Sequence, residues 1–127
     1  MSSTFFYHSL KVFAPGRNGV LAEICESKGD PCKRDQKGFK AIYVRNLVYL
    51  YKATNNQALK KDIQGIIDSS LEAMLKTSCD ANFNCAREWA KGARPERDVR
   101  SQHVSAALLV AAVGIRSTPA KAAGGRQ

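Results

Sequence analysis

The sequence predicts an all-α fold. Two stretches, 35–52 and 57–78, carry apolar residues at every third or fourth position, the spacing of an amphipathic helix. A third stretch, 104–113, is rich in alanine and, apart from Ser105, apolar. No segment alternates apolar and polar residues over the length that a strand needs, so we expect helices joined by loops and no sheet.

The stretch from Asp35 to Lys52 is the central helix of the predicted fold. Its apolar residues form two adjacent strips, which require neighbours on more than one side. These residues are Phe39, Ile42, Tyr43, Val44, Leu47, Val48, Leu50 and Tyr51. The first turn contains the polar residues Asp35, Gln36, Lys37 and Lys40. Two interpretations fit this cluster: a helix N-terminus capped by Asp35, or the wall of a ligand site.

The flanking segments extend the helical prediction. The turn at residues 54–56 is so short that the second stretch should fold back antiparallel to the first, as a helical hairpin. Near the N-terminus, an apolar segment from Phe5 to Phe13 ends before a Pro-Gly pair. The stretch 104–113 is apolar on all sides, which is typical of a helix in the interior of a larger helical body.

The predicted helices carry more apolar surface than about four helices of this length can cover. A chain of 127 residues is long enough for a single domain, yet at least two of its helices require several partners. We therefore expect the chain to associate with itself or to be part of something larger. The predicted domain is residues 1–116, and residues 117–127 are expected to be a disordered tail.

The chain is strongly basic, with 20 Lys and Arg residues against 11 Asp and Glu residues and a formal net charge of +9. The basic residues are interleaved with acids over every segment, whereas nucleic-acid-binding proteins gather them in one run or on one helix face. This distribution argues against a nucleic-acid partner. The most apolar run, 104–113, is about half the length of a membrane-spanning helix, and residues 1–10 lack the pattern of a secretory signal.

Four cysteines form two pairs that are close in sequence, Cys25 with Cys32 and Cys79 with Cys85. Each pair encloses a short loop of turn-forming residues, which favours two local disulfides and an oxidising compartment. Zinc is the rival interpretation, but structural zinc sites usually place two to four residues between paired ligands, and these gaps are six and five. Free buried thiols are a third interpretation for a reducing compartment. We predict disulfides and no metal site.

Three single residues have both a functional and a structural interpretation. Trp89 stands alone in a polar loop, where it could stack on a sugar or seal the loop onto the helices. Glu23 is the one acid in an apolar segment, a position more typical of an exposed or capping carboxylate than of a catalytic one. His103 could titrate near neutral pH, but the sequence supplies it with no partner acid or nucleophile.

Taken together, many of these residues resemble a known family. They are Gly19-Val-Leu-Ala-Glu-Ile-Cys25, Cys32, Asp35-Gln-x-x-Phe-Lys40, Arg45, Leu47, Leu50, the loop from Cys79 to Cys85, Trp89, Gln102, Ser105, Ala106 and Leu108. Over roughly residues 5–113 they resemble the C-terminal part of glycoside hydrolase family 76, the endo-α-1,6-mannanases, especially its fungal cell-wall members. Two positions depart from the family pattern: Ala41, where Gly is usual, and Arg100-Ser101, where a Gly is common.

The resemblance implies an (α/α)6 barrel, in which two concentric rings of helices hold the mannan substrate in a cleft at one end. This chain would supply helical hairpins corresponding to roughly the last third of that barrel, which would account for its surplus apolar surface. The resemblance also implies a secreted or cell-surface parent enzyme and no cofactor.

The catalytic groups that the resemblance implies are absent from this chain. A retaining glycosidase needs two carboxyl groups about 5 Å apart, one as nucleophile and one as acid/base. In this family they are an adjacent Asp-Asp pair, and none of the 11 acids here has an acidic neighbour in sequence. We assign no catalytic residue. The residues expected at the remaining rim of the cleft are Asp35, Gln36, Phe39, Lys40, Trp89 and Glu23.

The leading hypothesis is a C-terminal fragment or degenerate copy of a mannan endo-1,6-α-mannosidase-like hydrolase that is inactive alone. Its expected partners are α-mannan and the missing part of the barrel or a second copy of itself. The alternative is a small helical interaction module that forms oligomers. A basic nucleic-acid binder ranks third, and its affinity would fall steeply with added salt.

Overall fold

The computed structural model describes four helices in residues 3–14, 19–22, 39–86, 89 and 99–117. The helices are α1 (Ser3–Phe13), α2 (Phe39–Ala53), α3 (Gln57–Thr77) and α4 (Val99–Ser117). Within these ranges no strand forms, and the one β-bridge pairs Cys79 with Cys85. The all-α prediction is confirmed. The expected tail, from residue 118 onward, and the predicted start of α2 at residues 35–38 lie outside the described residues.

The predicted hairpin of α2 and α3 is present. Residues 54–56 connect the two helices, and the Asn56 side chain caps α3 by accepting a hydrogen bond from the Leu59 N–H at 3.1 Å. An asparagine at this position satisfies a backbone donor that the first helical turn leaves unpaired. The turn is therefore tight enough to hold α3 antiparallel to α2.

Helix α4 lies beside α2 and runs in the same direction. At one end, Lys40 of α2 and Ser105 of α4 both contact the short segment that contains Ala86 and Trp89. At the other end, Gly114 of α4 lies so close to Val48 of α2 that a Cβ on the glycine would be 3.6 Å from a valine methyl. Helices α2 and α4 therefore form one layer of parallel neighbours.

Helix α1 lies in a second layer with α3. The Phe13 ring stacks on Tyr43 of α2, with 4.3 Å between ring centroids, and the Tyr7 hydroxyl hydrogen-bonds the Asp62 carboxylate of α3. Because Tyr43 is near the start of α2 and Asp62 is near the start of α3, α1 runs antiparallel to α2 and parallel to α3. Alternating helix direction between two layers is the arrangement expected of helical hairpins placed side by side.

The core fills the space between the two layers. Its most deeply buried aliphatic residues come from α2, α3, α4 and the segment after α1: Leu21, Val44, Leu59, Ile63, Ile67, Met74, Val104 and Leu108. The segment at residues 19–22 is fixed to α3 because the Leu21 N–H donates to the buried hydroxyl of Ser70 at 2.9 Å. This bond satisfies a backbone donor that would otherwise be buried without a partner.

The outer face of the α2–α4 layer carries the surplus apolar surface that the sequence predicts. Its exposed apolar side chains are Ile42, Tyr49, Val99, Val110 and Val113. Several residues of this kind on adjacent helices are typical of a surface that another element covers. None of the described helices combines the length and the hydropathy that a membrane span requires.

Replacing a side chain of α4 by alanine should affect stability differently on the buried and the exposed face of the helix. Replacing the fully buried Leu108 by alanine should lower the free energy of unfolding by about 2–5 kcal/mol, because the remaining cavity is not filled. The matched change Val110→Ala, at a side chain that is 70% exposed, should change it by less than about 0.5 kcal/mol. Urea denaturation followed by circular dichroism measures both, and equal losses would contradict the described packing.

The contact between α1 and α2 predicts sensitivity to alkali. Burial raises the pKa of the Tyr43 hydroxyl above its usual range, and the hydrogen bond with Ser9 only partly opposes this. The folded chain then holds this proton more tightly than the unfolded chain. The contribution of Tyr43 to the free energy of unfolding is therefore fully present below about pH 10, and it is lost as the pH rises through the folded pKa.

The variant Tyr43→Phe has no proton to lose at this position, so its stability should fall less steeply than that of the wild type above about pH 10. Denaturation midpoints measured from neutral to strongly alkaline pH provide the comparison. The two curves should be parallel at neutral pH, and parallel curves at high pH as well would rule out the assigned role of Tyr43.

Candidate functional site

The predicted site residues divide into those that the structure describes and those that it does not. Asp35, Gln36 and Glu23 lie outside the described residues, as do Cys25 and Cys32. Their predicted roles in sugar binding and in the first disulfide remain predictions. Phe39, Lys40 and Trp89 are described, and they do not share one environment.

Phe39 is the first residue of α2 and is 45% exposed. Two roles are open to its ring, stacking on a sugar or, in line with its place on the apolar face of the predicted helix, anchoring that helix. An aromatic ring that is nearly half exposed at a helix N-terminus has accessible surface for a ligand. Its assignment to the substrate cleft stays a prediction.

Lys40 and Trp89 form a buried pair. The Lys40 Nζ lies 3.9 Å from the centroid of the Trp89 ring, and both side chains are fully buried. This is the geometry of a cation–π contact, which is strongest when water is excluded. The position of Trp89 corresponds to its structural interpretation, a plug between the loop and the helices.

Trp89 is also held through its backbone. The Thr77 hydroxyl, in the last turn of α3, donates to the Trp89 carbonyl at 2.9 Å. Its indole Nε1 is buried and has no hydrogen-bond partner in the described part of the chain. The ring is thus fixed from α2 and α3 together.

Beside this pair, a disulfide closes a short loop. Cys79 and Cys85 are bonded, so the second of the two predicted disulfides is confirmed. Inside the loop, the Asp80 carboxylate accepts hydrogen bonds from the backbone N–H groups of Asn82 and Asn84, both at 2.9 Å. An Asp that accepts in this way stabilises a tight turn. We call residues 79–85 the disulfide loop.

Gln102 joins the disulfide loop to the first turn of α4. Its Oε1 accepts from the Cys85 N–H at 3.0 Å, and its Nε2 donates to the Phe83 carbonyl at 3.1 Å. One side-chain amide thereby pairs two backbone groups of the loop. Ser105, one turn later, donates to the Ala86 carbonyl at 3.3 Å. The loop is therefore docked onto α4 rather than hanging from the end of α3.

The disulfide loop presents Phe83, which the sequence analysis did not single out. This residue is 62% exposed, and its backbone has a φ of 61°. A positive φ is uncommon for a residue other than glycine, and more so for a bulky one. The sequence signal that could have identified it is an aromatic residue between two asparagines inside a Cys-closed loop.

A groove of about 490 Å³ lies between α2 and α4 on the outer face of their layer. Its lining is mostly apolar, with basic or titratable side chains among them: Arg45, Lys52 and His103. The remaining lining residues are Ala41, Ile42, Val48, Tyr49, Ala106, Ala107, Val110, Ala111 and Gly114. Among the described residues, none that lines the groove carries a carboxylate, and none form a cluster of His, Cys, Asp and Glu suited to a metal ion.

The sequence model of glycosyl hydrolase family 76 matches residues 2–122, nearly the whole chain. The chain belongs to this family. All four helices, the disulfide loop and the groove lie within the matched range. No curated protein and no solved structure gives a significant match. The resemblance found in the sequence is thus confirmed for the family.

Family 76 hydrolases act on carbohydrate, so the described acids are of interest. Asp62 hydrogen-bonds Tyr7, and Asp68 forms an exposed ion pair with Arg116 at 2.6 Å. Asp80 is engaged in the disulfide loop. Asp62, Asp68 and Asp80 thus each have a local structural role, the fourth described acid, Glu72, is exposed on α3, and no two of the 11 acids are adjacent in sequence.

The buried pair predicts a measurable coupling between Lys40 and Trp89. In a double-mutant cycle of Lys40→Met and Trp89→Leu, the interaction free energy should be about 2 kcal/mol, because the contact is shielded from water. Lys60 lies over the Tyr51 ring at 4.8 Å, and because both side chains are only partly buried, this pair serves as the matched control. The cycle of Lys60→Met and Tyr51→Leu should give about 0.5–1 kcal/mol. Coupling that is equal in the two cycles would refute the special role of burial.

Proposed function

We propose that this chain is the sugar-binding part of a family 76 hydrolase that acts on α-1,6-linked mannan, and that it does not cleave mannan by itself. The observation that carries the proposal is the family match over residues 2–122. The substrate class follows from the resemblance of the Asp35–Lys40 block and the cysteine-rich context to endo-α-1,6-mannanases. A fragment or degenerate copy of such an enzyme fits these residues.

The expected lack of activity rests on the distribution of acids. Hydrolysis with retention requires a nucleophile and an acid/base about 5 Å apart across the scissile bond. No two acids of the chain are adjacent in sequence, and three of the four described acids, Asp62, Asp68 and Asp80, are engaged in other contacts. A chain with this composition retains groups that bind sugar but lacks the pair that reacts.

The two-layer packing supports a place in a larger helical barrel. Helices α2 and α4 run parallel in one layer, and α1 and α3 run the other way in the second, as successive hairpins of two concentric rings would. The exposed apolar side chains of α2 and α4 would then face other helices of the barrel. On this proposal, the groove is the place where the remaining helices pack.

The same apolar face favours a second candidate, a small interaction module that buries this surface in an oligomer. Light scattering separates the two candidates. A stable compact oligomer with a cooperative melting transition supports the module, whereas a folded monomer or an aggregate of no defined size supports the fragment.

The purified chain should bind unbranched α-1,6-mannan but release no reducing ends from it. Affinity electrophoresis in gels that contain the mannan measures binding, and a reducing-sugar assay measures cleavage. Dextran, an α-1,6-glucan, is the control polymer and should retard the chain less. Turnover would overturn the proposed inactivity, and equal retardation in gels with and without mannan would overturn the proposed ligand.

A further inference from the structure

The disulfide loop holds an aromatic ring out into solvent. Phe83 lies at the tip of the loop that the Cys79–Cys85 bond closes, and its side chain is 62% exposed. Its neighbours Asn82 and Asn84 are exposed as well. The residues on either side of Phe83 in the loop are thus exposed amides, one of which, Asn84, also donates to the Asp80 carboxylate at 3.3 Å. The exposed aromatic Tyr49, by contrast, stands on the apolar face of α2.

The backbone conformation at Phe83 is one that a phenylalanine adopts at a cost. A φ of 61° lies in the left-handed region, where glycine and asparagine are favoured over residues with bulky side chains. Asparagine stands on either side of this position, yet the position itself carries the aromatic residue. An unfavourable conformation that the surrounding structure maintains is often associated with function.

The surrounding structure does maintain it. The Phe83 N–H donates to the Asp80 carbonyl at 3.0 Å, and the Phe83 carbonyl accepts from Gln102 of α4 at 3.1 Å. Both backbone polar groups of the residue are therefore paired, one within the loop and one to a helix. A ring on a backbone held in this way loses little conformational entropy when a ligand packs against it.

We propose that the Phe83 ring is a stacking platform for a pyranose ring of the glycan, with the amides of the loop beside it. The apolar C–H face of a hexose matches an aromatic face, and amide side chains can exchange hydrogen bonds with its hydroxyls. This assignment rests on the proposed function, because it names a contact site for the same α-1,6-mannan. The polar surroundings favour a sugar over a protein partner, which would need more apolar area around the ring.

The test compares variants of the full chain for binding to α-1,6-mannan. Phe83→Asn removes the ring and suits the left-handed backbone, so the fold should be retained; its affinity should fall about tenfold, the loss expected for one stacked ring. Phe83→Trp restores an aromatic face and should keep the affinity within about twofold. Phe5→Ala removes a phenylalanine that is equally exposed, at 61%, on α1 and should leave binding unchanged.

The set of outcomes distinguishes a failure of this inference from a failure of the proposed function. If the wild type binds α-1,6-mannan and Phe83→Asn binds it with the same affinity, the stacking platform is wrong and the proposed ligand is retained. Absence of wild-type binding overturns both. A tenfold loss in Phe83→Asn together with the same loss in Phe5→Ala also overturns the platform, since any exposed ring would then suffice. As a direct readout, titration with α-1,6-linked mannotriose should shift the Phe83 ring resonances in NMR spectra and leave those of Phe5 in place.

Discussion

Burial of the Trp89 ring is the constraint on which the meeting of the helices depends. Lys40 brings the first turn of α2 against the ring, and Thr77 ties the last turn of α3 to the backbone of the same residue. Ser105 of α4 donates to the nearby Ala86 carbonyl. A short segment with one large side chain thus joins three helices at one end of the molecule. The same segment directly follows the disulfide loop in sequence, so the packing of Trp89 in the core also fixes the position of the loop.

The two faces of the α2–α4 layer have different physical requirements. The inner face packs on α3 with fully buried aliphatic side chains such as Val44 and Leu108, which supply the apolar burial that stabilises the fold. The outer face carries valine, isoleucine and tyrosine in contact with water. An isolated domain gains nothing from such residues, whereas a helix between two layers of neighbours needs them on both sides. The outer face is therefore of the kind that another element covers.

Local patterns in the sequence predicted the helices, the hairpin and the Cys79–Cys85 bond, because each depends on residues close in sequence. The contacts that define the site depend on residues far apart. A lysine in a polar first turn is expected in water, yet Lys40 is buried with Trp89, which is 49 residues further along the chain, packed against it. Likewise, the amide of Gln102 gives no sign in the sequence that it pairs with Cys85 and Phe83. Asp35 and Gln36, which the family resemblance selects, still have only that support.

The left-handed backbone at Phe83 has a consequence for the history of this chain. Replacing the aromatic residue by glycine or asparagine relieves a conformational cost of about 1–2 kcal/mol, so a sequence that drifts under selection for stability alone should soon lose the ring. A copy selected for stability alone and a chain still in use would therefore differ at this position. Among close descendants of this sequence, persistence of an aromatic residue would mark the lineages in which the loop still has a ligand.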